Sequence, residues 1–163
     1  MKKIILFYIL FMNVNAMKAQ DCPFITADLK KGTINNLTPL ASQEKIKTEL
    51  PCFTGESEEG GPMNCGGGVF FLKHEVYFYT GKDYIEIRKG FAGKLSIPVL
   101  GLSKNAAIAK LKMGKIIRTV EDEGDEYIFF KTGYGCLFLK LVDAKVVRID
   151  ISAKKAADVE LCL

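Results

Sequence analysis

The 163-residue sequence has no tryptophan, a single histidine (His74) and only five prolines. With one histidine, any Cys–His or Ser–His mechanism has a single candidate base, and a usual zinc set cannot be completed. No Cys-x-x-Cys occurs, which weighs further against a zinc site. No Gly-x-Gly-x-x-Gly is present, so the dinucleotide fingerprint is missing. After residue 20 no apolar run approaches the length that a membrane-spanning helix requires, and no stable membrane insertion is expected.

An excess of positive charge is also scarce once the amino terminus is set aside. The chain opens MKKIILFYILFMNVNAMKAQ, with Lys2 and Lys3 ahead of an apolar run from Ile4 to Met12 and small residues at Ala16 and Ala19. That is the layout of a secretory signal peptide, with cleavage expected near Ala19 or Gln20. Cys22 does not suit lipid attachment, because Gln20 and Asp21 replace the small apolar residues expected before such a cysteine. Lys2, Lys3 and Lys18 are three of the 23 basic residues and no acid precedes Asp21, so 20 basic residues face 19 acids in the mature chain. A nucleic-acid partner thereby loses its electrostatic motive. The expected product is an exported protein of the periplasm or the medium.

All five cysteines (22, 52, 65, 136 and 162) lie beyond the leader. In an exported chain they read as disulfide partners before metal ligands. The preferred pairing is Cys52–Cys65, closing a local loop worth roughly 3 kcal/mol, and Cys22–Cys162, tying the termini. Cys136, inside the apolar run CLFLKLV, is expected to be a buried free thiol.

What the chain does have is an internal repeat. GTINNLTPLASQEKIKTEL (32–50) and GKLSIPVLGLSKNAAIAKL (93–111) align without a gap, matching Gly32 to Gly93, Ser42 to Ser103 and Leu50 to Leu111. Each serine is a candidate helix N-cap, with Thr38–Pro39 a competing start in the first copy. Ile46 and Leu50 follow Ser42 at the spacing of one helical face, and Pro51 ends the helix. Strand-like runs follow: CFT, VFFLK, VYFYT and YIEIRK in the first copy, then IIRTV, YIFFK, CLFLKLV and VVRIDI in the second. The expected fold is α+β, with two tandem units that each combine a helix and an antiparallel meander, stapled by disulfides. Its divisions are a signal peptide at 1–20, an amino-terminal segment at 21–31, units at 32–91 and 92–152, and a tail at 153–163.

The pattern LxxSxxxxxxxL, followed by aromatic strands and FLKLVDAKVVRIDI, resembles the repeat of β-lactamase-inhibitor-protein-like domains. It is also similar to the related small lipoprotein of the outer-membrane β-barrel assembly machinery. The resemblance covers roughly 32–91 and 93–152. It implies helices packed on an antiparallel sheet and a binding role, without naming a target.

Several motifs compete as sites. PCFTGESEEGGPMNCGGGVFF (51–71) is glycine-rich, but Gly66–Gly68 run into Val69 and Phe70 where a phosphate loop needs lysine and a hydroxyl, and its glutamates repel anions. The acids at Glu56, Glu58 and Glu59, or at Glu121, Asp122, Glu123, Asp125 and Glu126, do not fit the spacing of an EF-hand calcium loop. Ser42–Lys45 fits SxxK, Ser103–Asn105 a loose SxN and Lys131–Gly133 KTG, the order found in penicillin-recognising enzymes. The chain is too short for that fold, and both serines have a role as caps. His74 reads as a turn residue beside Glu75.

The functional expectation is therefore an exported, non-catalytic binding protein, an inhibitor or envelope-interaction factor, that needs no cofactor and recognises a protein partner. The candidate contact residues are the acidic tips, Glu56, Glu58 and Glu59 with Asp122, Glu123 and Asp125, and the tyrosines Tyr77 and Tyr79. Two other readings are a small extracytoplasmic hydrolase using His74 and an immunity-type protein that neutralises a toxin.

Overall fold

A computed structural model describes residues 22–58 and 66–160. The expected signal peptide, Glu59, Cys65 and Cys162 lie outside the described residues. Strand β1 (Thr26–Asp28), strand β2 (Thr33–Ile34) and helix α1 (Gln43–Glu49) come first, then strands β3 (Gly55–Ser57), β4 (Gly68–Phe71), β5 (Val76–Tyr79) and β6 (Tyr84–Arg88). Strand β7 (Lys94–Leu95) and helix α2 (Lys104–Leu111) follow, then β8 (Ile116–Asp122), β9 (Asp125–Lys131), β10 (Cys136–Val142) and β11 (Lys145–Ser152). The fold is α+β with sheet predominant.

The helices start and stop for local reasons. Ser42 stands at the N-cap of α1, where its hydroxyl accepts from the Lys45 amide at 3.3 Å. Ser103 holds nearly the same backbone conformation before α2 but makes no side-chain cap bond. Its backbone instead forms a bridge with Lys145. Thr38–Pro39 begins a turn, closed by the Ala41 amide donating to the Thr38 carbonyl at 3.0 Å, and not the helix. Ile46 and Leu50 are buried along one face of α1, as are Ala107 and Leu111 at α2.

Eight strands form one sheet in the order β3-β4-β5-β6-β11-β10-β9-β8, all neighbouring pairs antiparallel. The chain thus builds two four-stranded meanders that meet at β6 and β11. Tight hairpins make this possible. Glu123–Gly124 and Asp143–Ala144 both hold positive φ at two consecutive positions, the twist that matches paired strands. The second meander falls where its branched and aromatic runs predict. In the first, CFT is not a strand; β3 begins three residues later, at Gly55, and pairs with β4 along the sheet edge.

The amino-terminal segment is more than a lead-in. β1 pairs antiparallel with β2 and parallel with β7, making a second, three-stranded sheet from short, widely separated pieces. Gly32, at φ +70°, lies under the ring of Tyr134, where any Cβ would come within 2.6 Å. The Tyr134 hydroxyl donates to the Leu29 carbonyl at 2.9 Å. One face of the large sheet (Val69, Phe71, Phe78, Ile85, Ile87, Ile128, Phe130, Leu137, Ile149) shares a core with the helices and with Ile25, Leu29 and Ile34 of the small sheet.

The disulfide arrangement differs from the expectation. Cys22 is bonded to Cys52, so neither Cys52–Cys65 nor Cys22–Cys162 forms. The reason is topological: β1 starts just after Cys22 and is held against β2 and β7, which brings position 22 to the turn that follows α1. Phe53, beside that turn, packs with both cysteines against the core. Cys136 is a buried free thiol, as its apolar run predicts. No helix among the described residues is long and apolar enough to cross a membrane.

Candidate functional site

Strand alternation sends every second residue of the large sheet away from the helices. Cross-strand register orders that second face into rows. The middle row runs Phe70, Tyr77, Glu86, Asp150, Phe138, Phe129 and Arg118. A neighbouring row, towards the Arg88 end of β6, runs Arg88, Arg148, Lys140 and Tyr127. On the other side lie Tyr79, Tyr84, Ser152 and Cys136.

This face is half closed by the carboxy-terminal segment after β11. Ala156 and Val159 pack with Tyr127, Phe129, Cys136 and Phe138. Arg118 stacks over Phe129 at 5.0 Å and donates Nη1 to the Ala156 carbonyl. Lys82 pairs with Glu160, and Lys154 with Asp83 at 3.5 Å, which fastens the segment to the β5–β6 hairpin. The Phe129 and Phe138 rings stack at 4.7 Å beneath it. Burial pushes the Cys136 thiol up to about 11, so it stays protonated and unreactive at neutral pH.

In the centre sits a charged cluster that the sheet has taken out of water. Glu86 is 1% exposed, Asp150 0% and Arg148 8%. Arg148 Nε donates to Asp150 Oδ2 at 2.9 Å, and its Nη1 lies 3.2 Å from Glu86 Oε2, out of line for a hydrogen bond. Arg88 Nε donates to Glu86 Oε1. Tyr84 Oη, Glu86 Oε2, Asp150 Oδ1 and Arg148 Nη2 have no hydrogen-bond partner among the described residues. Burial raises the Asp150 carboxyl to about 7; the Arg148 guanidinium pulls it back and the Glu86 charge pushes it further up. Burial likewise drives the Tyr84 phenol far above its ordinary range. A core made only for stability would fill this place with apolar groups, since buried ion pairs seldom repay their desolvation.

The cations are braced by aromatic rings. Arg88 stacks on Tyr77 at 4.0 Å, and Arg148 and Lys140 both approach Tyr127 at 5.5 Å. Phe70 packs against both Tyr77 (5.9 Å) and Tyr79 (5.7 Å). Of the two tyrosines singled out from the sequence, Tyr79 is half-buried, whereas Tyr77 is mostly buried by these neighbours. Arg88, Lys140, Glu86, Arg148 and Asp150 were not anticipated from the sequence. The available signal was the alternation in YIEIR and VVRIDI, which puts Glu86 and Arg88 on one face with Arg148 and Asp150.

The acidic tips do not gather into one patch. Glu56 is on edge strand β3, where it pairs with Lys47 Nζ of α1 at 2.7 Å. Glu58 is exposed just beyond it. Asp122, Glu123 and Asp125 form the hairpin between β8 and β9, at the opposite edge. Because β3 and β8 run in opposite directions, the two tips occupy diagonal corners of the sheet. Asp125 pairs with Lys140 at 2.5 Å, which joins that corner to the cation row.

His74 lies in a 3₁₀ turn (Leu72–His74) and is half-buried, not fully exposed. Its Nδ1 donates to the Ala92 carbonyl at 3.2 Å. One of its ring nitrogens and the sulfurs of Cys22 and Cys52 lie within 4.8 Å of one another. Joined to each other, the two sulfurs offer no thiolate, either as metal ligand or as nucleophile. No family model, curated protein or solved structure matches this chain.

Proposed function

We propose that this chain is an exported, non-catalytic binding protein that receives a protein partner on the helix-free face of its eight-stranded sheet. The observation that carries this reading is the set of Phe70, Tyr79, Arg88 and Lys140, which stay partly or fully exposed on that face around buried charge. Tyrosine and arginine are the residues that concentrate binding energy at protein interfaces, and stacking reduces the entropy they lose on binding. The acidic corners, including Glu56 and Glu58, would form the polar rim.

The architecture would be two copies of one unit. Support comes from spacing: β2 and β7 start at Thr33 and Lys94, and α1 and α2 start at Gln43 and Lys104, 61 residues apart in both cases. Each helix is followed by a four-stranded meander, and the sheet order is symmetrical about β6 and β11. This arrangement suits the resemblance to β-lactamase-inhibitor-like repeats, and with it an inhibitor or envelope-interaction role. A hydrolytic role for His74 would need a serine or a free thiol beside it, where the described residues place a disulfide.

The test is affinity capture from envelope and medium extracts with the folded mature chain, beside a broad hydrolase screen. A partner retained by the wild type and lost on Tyr79→Ala supports the reading. Substrate turnover that is abolished by His74→Ala in a folded variant would replace it.

A further inference from the structure

We infer that the Arg88, Arg148 and Lys140 row is a carboxylate-binding site, reading an aspartate or glutamate side chain presented by the partner; the identity of the carrier rests on the binding function proposed above. Three cations directly opposite one another on adjacent strands β6, β11 and β10 are unfavourable unless something answers them. Each cation has a carboxylate partner, Glu86 for Arg88, Asp150 and Glu86 for Arg148 and Asp125 for Lys140, but the hydrogen-bonding capacity of Arg148 is not filled. Arg148 uses Nε on Asp150 and turns Nη1 towards Glu86, but its buried Nη2 has no partner among the described residues. A buried arginine, 8% exposed as a residue, that still lacks one hydrogen-bond partner is a costly arrangement, which an arriving acceptor would relieve.

Arg148 lines a cavity of about 390 Å³, shared with Arg88, Lys89, Lys140 and a single acid, Glu75. Glu75 is already engaged as the acceptor of the Tyr77 hydroxyl at 3.2 Å. The cavity floor is shaped by a bulge in β11. Lys140 pairs with Arg148 but Leu141 pairs with Val146, so Val147 is the extra residue and lines the same cavity. Such bulges re-aim neighbouring side chains, and Arg148 is the residue next to this one. The stacks on Tyr77 and Tyr127 then hold the cations in place.

The chemistry favours a singly charged, planar acceptor. Arginine forks match carboxylate geometry in a bidentate manner. A phosphate dianion would feel more strongly the repulsion of Glu75, Glu86, Asp150 and Asp125, which surround the row. The area around the cavity joins the Tyr77 side of the face, so an acidic side chain could enter while the rest of its protein covers the aromatic row.

The test uses nitrogen-15 spectra of the arginine Nε–H groups in the full mature chain, titrated at constant ionic strength with the capped peptide of four glutamates. Saturable shifts at Arg88 and Arg148, absent with the four-glutamine peptide and weakened at least ten-fold by Arg88→Gln or Lys89→Gln, are expected. Lys89 is exposed and makes no ion pair among the described residues, so Lys89→Gln keeps the test readable should Arg88→Gln, which strips buried Glu86 of a donor, fail to fold. Absence of peptide shifts, unchanged affinity in both variants, or equal shifts with inorganic phosphate would overturn the inference. In the capture experiment, a partner retained equally by wild type and Arg88→Gln would overturn the carboxylate site and leave the binding function standing. Peptide shifts without any captured partner would do the reverse.

Discussion

Asp150 is the residue whose chemistry is most exposed to measurement, because its environment sets a sign. Its carboxyl is raised by burial to about 7, whereas an unfolded chain ionises it near its ordinary value of 3.8. Between those two values the folded state holds the extra proton, so stability falls as pH rises through the interval. Urea midpoints of the wild type should therefore decline, relative to Asp150→Asn, from pH 4 to pH 7. A constant difference between the two proteins over that range would show that Asp150 ionises normally in the fold. The cysteines give a second prediction. Cys52→Ser removes a bridge that closes a 30-residue separation and should cost about 3–4 kcal/mol on the loop-entropy estimate. A peptide map under non-reducing conditions should recover Cys22 joined to Cys52. Cys136 should resist thiol reagents until the chain unfolds.

At the scale of elements, the contrast between what sequence periodicity reveals and what it hides is clear in two places. The second meander was legible because each strand carries branched or aromatic residues bounded by EDEGDE, TGYG or DAK. β3 was not, since GES has no strand-like composition; it is held as an edge by pairing with β4. The small sheet was hidden for a similar reason. Strands of two or three residues have no period to read, and the pairing of β1 with β7 joins positions almost seventy apart. The same long-range contact decided the disulfide, which is why local loop closure at Cys52–Cys65 was the wrong choice. The charged cluster could be placed on a face from alternation alone, but its burial depends on the aromatic neighbours and on the segment after β11.

That segment carries its own prediction. Val159→Asp places a charge against Phe129 and Phe138 and should lower stability by about 1–3 kcal/mol, with dye binding to the uncovered aromatic rings. An unchanged urea midpoint would mean that the segment does not hold the face closed. Gly135, immediately before β10, is a stricter case. It adopts φ +143°, and a Cβ there would meet the Ser152 carbonyl oxygen at 2.4 Å. Gly135→Ala should lose more than about 2 kcal/mol, because the obstruction is backbone and cannot rotate away.

For the whole molecule, the sheet divides the labour. One face, with both helices and the small sheet, supplies the apolar core; the other concentrates charge and tyrosine at a place where stability alone would not put them. The acids at the two diagonal corners are too far apart to act as one patch, whereas Phe70, Tyr79, Arg88 and Lys140 lie together on that face and keep part of their surface open. A photoreactive amino acid at position 79 tests this directly, with position 40 as a control because Leu40 is exposed outside the large sheet. Exposed to envelope or medium extracts and irradiated, the position-79 protein should yield a discrete protein adduct, and the position-40 protein none. An adduct formed from position 40 and not from position 79 would contradict a binding role for this face.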